Sequence, residues 1–234
     1  MQNAGKNVPF RFGCTGSLPQ EPLGEHQVRG ALGDVLFELS AWELQQSGVL
    51  SSCIINVIQS QETRTFIDYH DEFRFLTTDK DRLRWIASYI EEVATSGNTL
   101  VLVKNVKTGK EIAKLIGDKA VFISGGTKTT LREDAFEWVG VNSNSILICT
   151  KGIAAVGIDI PRIFNLFLVE QGKSFIETIQ SIGRGLRRAE DKDHIEIYDL
   201  CADTKYSKRH LSQRKKYYKD AQYPFVVKKV TYQK

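Results

Sequence analysis

Apolar residues along this 234-residue chain recur in two alternating periods. Within residues 79–94, Leu83, Ile86, Ile90 and Val93 fall three or four apart, which predicts an amphipathic helix. The next apolar stretch, residues 99–103, is continuous, as expected of a strand buried on both faces of a parallel sheet. The two patterns then repeat. Helices are predicted over 108–116 and 131–139, and strands over 120–123, 145–150 and 163–169. A further helix and a strand over 194–200 close the series. Such alternation implies βαβ units, hence an α/β fold with an open, mainly parallel sheet and helices on both faces. Ligands of these sheets gather at the carboxyl ends of the strands.

The flanks are less regular. Residues 10–19 read as a short strand entering a Gly/Ser/Pro turn. Residues 24–48 carry Leu32, Val35, Leu36, Leu39 and Leu44 at helical spacing, with Gly48 as a stop. Residues 53–58 read as a strand and the polar segment 59–71 as a connector; two helices or a strand crossing to a second lobe both fit. Residues 210–219 read as a helix with Leu211 and Tyr218 inward and basic residues outward.

Composition narrows the class. At 41% apolar and 26% charged residues, the chain has the make-up of one or two soluble globular domains. No apolar run approaches the roughly 18–20 residues that span a bilayer, and the start lacks the apolar core of a secretion signal. The four cysteines are scattered, which argues for reduced intracellular thiols rather than a metal site or a disulfide framework. The net charge of +4 hides an asymmetry: residues 203–234 carry +8 and the rest −4. A local basic excess among tyrosines suits phosphate backbones, with Arg214 and Lys215 as candidate contacts.

The strongest chemical signal is Gln180-Ser181-Ile182-Gly183-Arg184-Gly185-Leu186-Arg187-Arg188. On a helix, Arg184, Arg187 and Arg188 share one surface, and crowded guanidiniums repel unless an anion lies between them. Phosphate oxygens match the guanidinium fork; the bland alternative is a basic helix end facing water. Other candidates follow the strands: Lys104-Asn105, the Ser124-Gly125-Gly126-Thr127-Lys128 loop, and residues 150–161 with Thr150, Lys151, Gly157 and Asp159. Thr15-Gly16-Ser17 ends the first strand-like stretch. A phosphate-gripping Gly-x-x-x-x-Gly-Lys-Ser/Thr loop is missing from this sequence. At Gly172-Lys173-Ser174 the earlier glycine is replaced by Phe167, and Ser174 with Glu177 fits a helix capping box. Asp71-Glu72 imitates an acidic metal-holding motif without the apolar strand that precedes one.

In this order, the patterns resemble the motifs of superfamily 2 helicases. Gln180-x-x-Gly183-Arg184-x-x-Arg187 is similar to motif VI, residues 150–161 to motif V, and Lys104-Asn105 to motif IV by position. Thr15-Gly16-Ser17 resembles motif III, most of all that of UvsW-like phage DNA helicases, with Cys14 in place of a leucine. The resemblance implies a RecA-like domain of the P-loop NTPase helicase type. Residues 1–20 would end a first RecA-like domain, 21–71 connect, 72–203 form the second, and 204–234 make a basic extension. Arg184 and Arg187 would be the catalytic arginines, with Arg187 the finger to the γ-phosphate. Gly157, Asp159, Gln180 and Gly183 would face the nucleotide. Lys104, Asn105, Ser124, Gly125, Thr150, Lys151, Arg214 and Lys215 would contact nucleic acid, and Thr15, Gly16 and Ser17 would couple hydrolysis to movement. ATP and Mg²⁺ would sit mainly on an N-terminal domain carrying Walker A, with forked or branched DNA as substrate in the cytoplasm of a bacterial or phage-infected cell. A non-catalytic nucleic-acid- or partner-binding module and half of an RNA helicase are the alternatives.

Overall fold

The computed structural model describes residues 10–15, 18–19, 21–155, 162–170, 172–173 and 191–232. Its contacts divide the chain into two units, Met1–Ser40 and Ala41–Lys234.

In the first unit, α1 (Pro22–Leu32) starts with proline at its first position and ends at Gly33, whose φ of 88° is open to glycine at little cost. Arg29 is bridged to Glu25 and Asp34 across this end. The expected helical run over 24–48 is therefore interrupted: Val35, Leu36 and Leu39 lie in a non-helical stretch, Leu36 83% exposed. The strand expected near residues 10–14 is also not formed. An isolated strand has no ladder to satisfy its N–H and C=O groups, so apolar alternation over so short a stretch does not by itself hold an extended strand.

The second unit begins with the short α2 (Ala41–Gln46) and contains a sheet of seven strands among the described residues. In chain order these are β1 (Ser52–Ser60), β2 (Thr99–Val103), β3 (Ala120–Ile123), β4 (Ile146–Thr150), β5 (Asn165–Val169), β6 (His194–Ala202) and β7 (Phe225–Val230). Their spatial order is β3-β4-β2-β5-β6-β1-β7, and every pairing is parallel. All seven carboxyl ends thus lie along one edge.

The continuous apolar runs divide by alternation between two cores. Leu100, Leu102, Leu147, Cys149, Leu166 and Leu168 face one side, packed with α6 (Thr129–Val141) and α8 (Lys205–Asp220). Val101, Val103, Ile146, Ile148, Phe167 and Val169 face the other, against α4 (Lys80–Ala94) and α5 (Val106–Ile116). Helix α5 lies so close to the sheet that a side chain at Gly109 would collide with the Phe122 ring. No described helix is long and apolar enough to cross a membrane.

Two segments placed outside the domain by sequence belong to this sheet. The 21–71 connector holds β1, which lies between β6 and β7. The 204–234 extension holds α8 and β7. In α8, Leu211 and Tyr218 are buried as the spacing predicts. A further helix, α3 (Tyr69–Thr78), overlaps the end of the 59–71 polar segment and precedes the helix expected from residue 79; the Asp68 side chain caps it by accepting the Asp71 N–H.

Candidate functional site

The strand order β4-β2-β5 sets three loops side by side at the carboxyl edge. Strand β4 runs directly into α7 (Lys151–Ala155), β2 into Lys104-Asn105, and β5 into Glu170. Thr150 and Lys151, at the root of the motif V-like segment, are half-buried. Gly157, Asp159, Gln180, Gly183, Arg184 and Arg187 lie outside the described residues, as do Gly16 and Ser17; Thr15 is exposed in the first unit. What the fold supplies is the roots: the segments bearing the V-like and VI-like motifs leave the edge from strands that flank β2.

Asn105 Oδ1 accepts from Thr108 N at 2.8 Å and Thr108 Oγ1 at 2.7 Å, capping α5. Its Nδ2 group is the part that can meet a phosphate. Lys104 is exposed; its Nζ donates to Tyr69 Oη at 3.1 Å and stands 4.6 Å from the Phe73 ring centre. In the next loop, Ser124 N–H donates to Thr127 Oγ1, and Arg132 braces the carbonyls of Thr127 and Gly125 at 2.8 and 2.9 Å. Gly125 is exposed and a Cβ there would meet no atom within 4 Å, so a backbone can approach closely.

Arg214 requires correction. It is 1% exposed, and its guanidinium forks onto Asp199 of β6 with two bonds of 2.9 Å. Tyr218 donates to the same carboxylate at 2.9 Å, and Arg214 donates to the Gly172 carbonyl at 3.1 Å. Burial opposes the charge, but Asp199 outweighs it and raises the Arg214 pKa. A desolvated, bidentate guanidinium pins α8 to the sheet; it is not a phosphate ligand. Its neighbour Lys215 is half-buried.

A second buried arginine fastens the edge. Arg82 of α4 pairs with Glu170, contacts Glu62 at 3.3 Å, and donates to Ser60 Oγ at 2.6 Å and the Leu76 carbonyl at 3.3 Å. Burial works against its charge, yet Glu170 and Glu62 hold its pKa above the ordinary value. Tyr232, beyond β7, donates to both Glu62 oxygens and stacks on Trp85 at 5.2 Å. The ends of β1, β5 and β7 are thereby tied together.

Sequence reasoning also missed an aromatic group beside Lys104. Tyr69 and Phe73 of α3 meet Tyr206 and His210 of α8, with Tyr69 ring-centre distances of 5.8 Å to Phe73 and 5.7 Å to each of the others. Burial, and then the charges of Arg214, Lys104 and Lys173, hold the His210 pKa below its ordinary value, so the ring is neutral at pH 7. The available signal was Tyr69-x-x-x-Phe73 and Tyr206-x-x-x-His210, two i,i+4 pairs in segments read as polar or basic.

The chain is similar to known proteins over most of its length. Residues 81–189 match the helicase conserved C-terminal domain. The chain is 27% identical over 221 residues to the ATP-dependent DNA helicase UvsW of Enterobacteria phage T4, covering 90% of this chain and 44% of that protein. It spans less than half the length of the curated relatives it matches. The crystal structure of T4 UvsW superposes with a TM-score of 0.65 at 24% identity, over 78% of this chain and 42% of that one. The DNA-bound type ISP restriction-modification enzyme LlaBIII superposes with a TM-score of 0.60 at 13% identity, over 87% and 17% respectively.

Proposed function

Because residues 81–189 carry a helicase conserved C-terminal domain within a RecA-like fold, we propose that this chain is the C-terminal motor half of an ATP-dependent superfamily 2 DNA helicase acting at forks or branched junctions. The observation that supports the reading is that β4 and β5, the strands that precede the V-like and VI-like segments in the chain, flank β2. The name of the phage relative supports DNA rather than RNA.

In this reading an N-terminal RecA-like domain with a Walker A loop holds most of the nucleotide, and this chain closes the site from the opposite side. Bound in that cleft with Mg²⁺, ATP supplies the phosphoryl bond whose hydrolysis drives closure and opening. Arg187 neutralises charge that develops on the γ-phosphate oxygens, and Arg184 assists; such arginines contribute roughly 10³–10⁵ in rate in comparable NTPases. Gln180, Gly183, Gly157 and Asp159 line the same side. Lys104, Asn105, Ser124, Gly125, Thr150 and Lys151 hold backbone phosphates along the carboxyl edge, contacts that position a strand without reading its sequence. Thr15, Gly16 and Ser17 couple the two domains.

ATP hydrolysis tests the proposal. The chain alone should show no turnover with or without forked DNA. Joined to its Walker A-bearing domain it should show DNA-stimulated turnover. In the joined enzyme, Arg187→Ala should abolish turnover and leave DNA binding nearly intact, since the interaction is made with transition-state charge. Loss of DNA binding with turnover retained would remove the finger assignment. Absence of turnover in the joined enzyme would favour a non-catalytic binding module.

A further inference from the structure

We propose that Tyr69, Phe73, Tyr206 and His210, with Lys104 at their rim, form a platform on which bases of single-stranded DNA stack at the carboxyl edge of the sheet. The inference rests on the nucleic-acid reading above and adds a contact to bases, which none of the motif residues supplies.

Three parts of the chain build the platform: α3, the loop after β2 and the first two turns of α8. An aromatic group that served only to pack would be drawn into the core. Here all four rings are half-buried, while the apolar residues of the neighbouring strands are fully enclosed. Tyr69 meets Tyr206 at 74° and His210 at 66°, edge against face, and lies near-parallel to Phe73 at 24° with ring centres 5.8 Å apart, so the group mixes edge and stacked contacts. The cleft beneath them, lined by Leu76, Glu170 and Gly172, is narrow, so a base would meet the rings at the rim.

Cations outnumber acids around the rings, where the exposed Asp68 caps α3 beside Tyr69. Lys104, Lys173 and Lys205 are exposed, and Lys205 Nζ stands 5.3 Å from the Tyr206 ring centre. The acids of the cleft are engaged inside the fold. Glu72 accepts the N–H groups of Tyr206 at 3.0 Å and Ser207 at 2.7 Å, and Glu170 pairs with Arg82. An acidic peptide would find the cations but gain little from the ring surfaces. A single strand uses both, its phosphates on the lysines and its bases on the aromatics, and base–aromatic stacking tolerates any sequence.

The test uses the full chain and a fluorescent oligo-dT strand in anisotropy titrations, beside an abasic strand of the same length. Tyr69→Leu keeps apolar volume against Phe73 and removes the stacking face; it should weaken oligo-dT binding about 5- to 100-fold and leave the abasic strand unaffected. Lys104→Gln should weaken both strands and reduce the salt dependence by about one phosphate contact. Circular dichroism verifies the fold of each variant, and Tyr69→Phe, which retains the ring, should bind oligo-dT as the parent does. Unchanged oligo-dT binding by Tyr69→Leu overturns the platform, as does a loss that is equal on the abasic strand, or preferential binding of poly-glutamate. ATP turnover by the joined enzyme would survive each of these results, so failure of the platform and failure of the motor reading are distinguishable.

Discussion

Adjacent residues in α8 have opposite fates. Arg214 and Lys215 look equivalent in a basic run, yet one is spent on Asp199 and the other stands half in water. Arg214→Ala leaves a buried carboxylate uncompensated and should cost about 3–5 kcal/mol, measured as a lower urea midpoint. Lys215→Ala should stay within about 0.5 kcal/mol and act instead on the salt dependence of DNA binding. Equal stability of the two variants would remove the buried-pair assignment. The thiols allow a pH test. Burial pushes Cys53 up to about 11 from the ordinary value of 9.0. Below pH 9 both folded and unfolded chains keep the proton; between 9 and 11 only the folded chain does. Stability from this group is therefore complete below pH 9 and lost as pH rises through 11. The loss should reach about 2–3 kcal/mol, and a Cys53→Ala variant should not share it, as urea midpoints at pH 8 and 10.5 would show.

At the scale of elements, the central strands were legible because their burial on both faces leaves continuous apolar runs such as Thr-Leu-Val-Leu-Val. What was not legible depended on distant partners. Strand β1 reads as a strand from its own residues, but only its pairing with β6 and β7 makes it part of the domain. Helix α3 hid behind polar residues because two of them serve as caps: Asp68 for α3 itself, Glu72 for the start of α8. The candidate site divides in the same way. Loop residues such as Lys104 and Asn105 follow from strand ends, whereas the rings beside them come together only when α3 meets α8. A fragment of residues 72–203 should accordingly fail to fold, since it lacks β1, α8 and β7, while 41–234 should fold cooperatively. Amide exchange would decide it: slow exchange in β2 and β5 of the 72–203 fragment would mean the added strands are ornamental.

For the whole molecule, three of the four cysteines report on the sheet at once. Cys53, Cys149 and Cys201 are buried on β1, β4 and β6, and Cys14 is exposed in the first unit. A thiol reagent should modify one group quickly and the other three together, at the rate of global unfolding; staggered reaction would show that the sheet opens piecemeal. The pairing of β1 with β6 also bears on how the protein is made. Ser52 is aligned with His194, so β1 leaves the ribosome long before its neighbour exists. At roughly 5–20 residues per second the wait is on the order of 10–30 s, with Cys-Ile-Ile-Asn-Val-Ile unpaired throughout. During synthesis that strand is an adhesive edge, and yield in the cell depends on what shields it until β6 arrives.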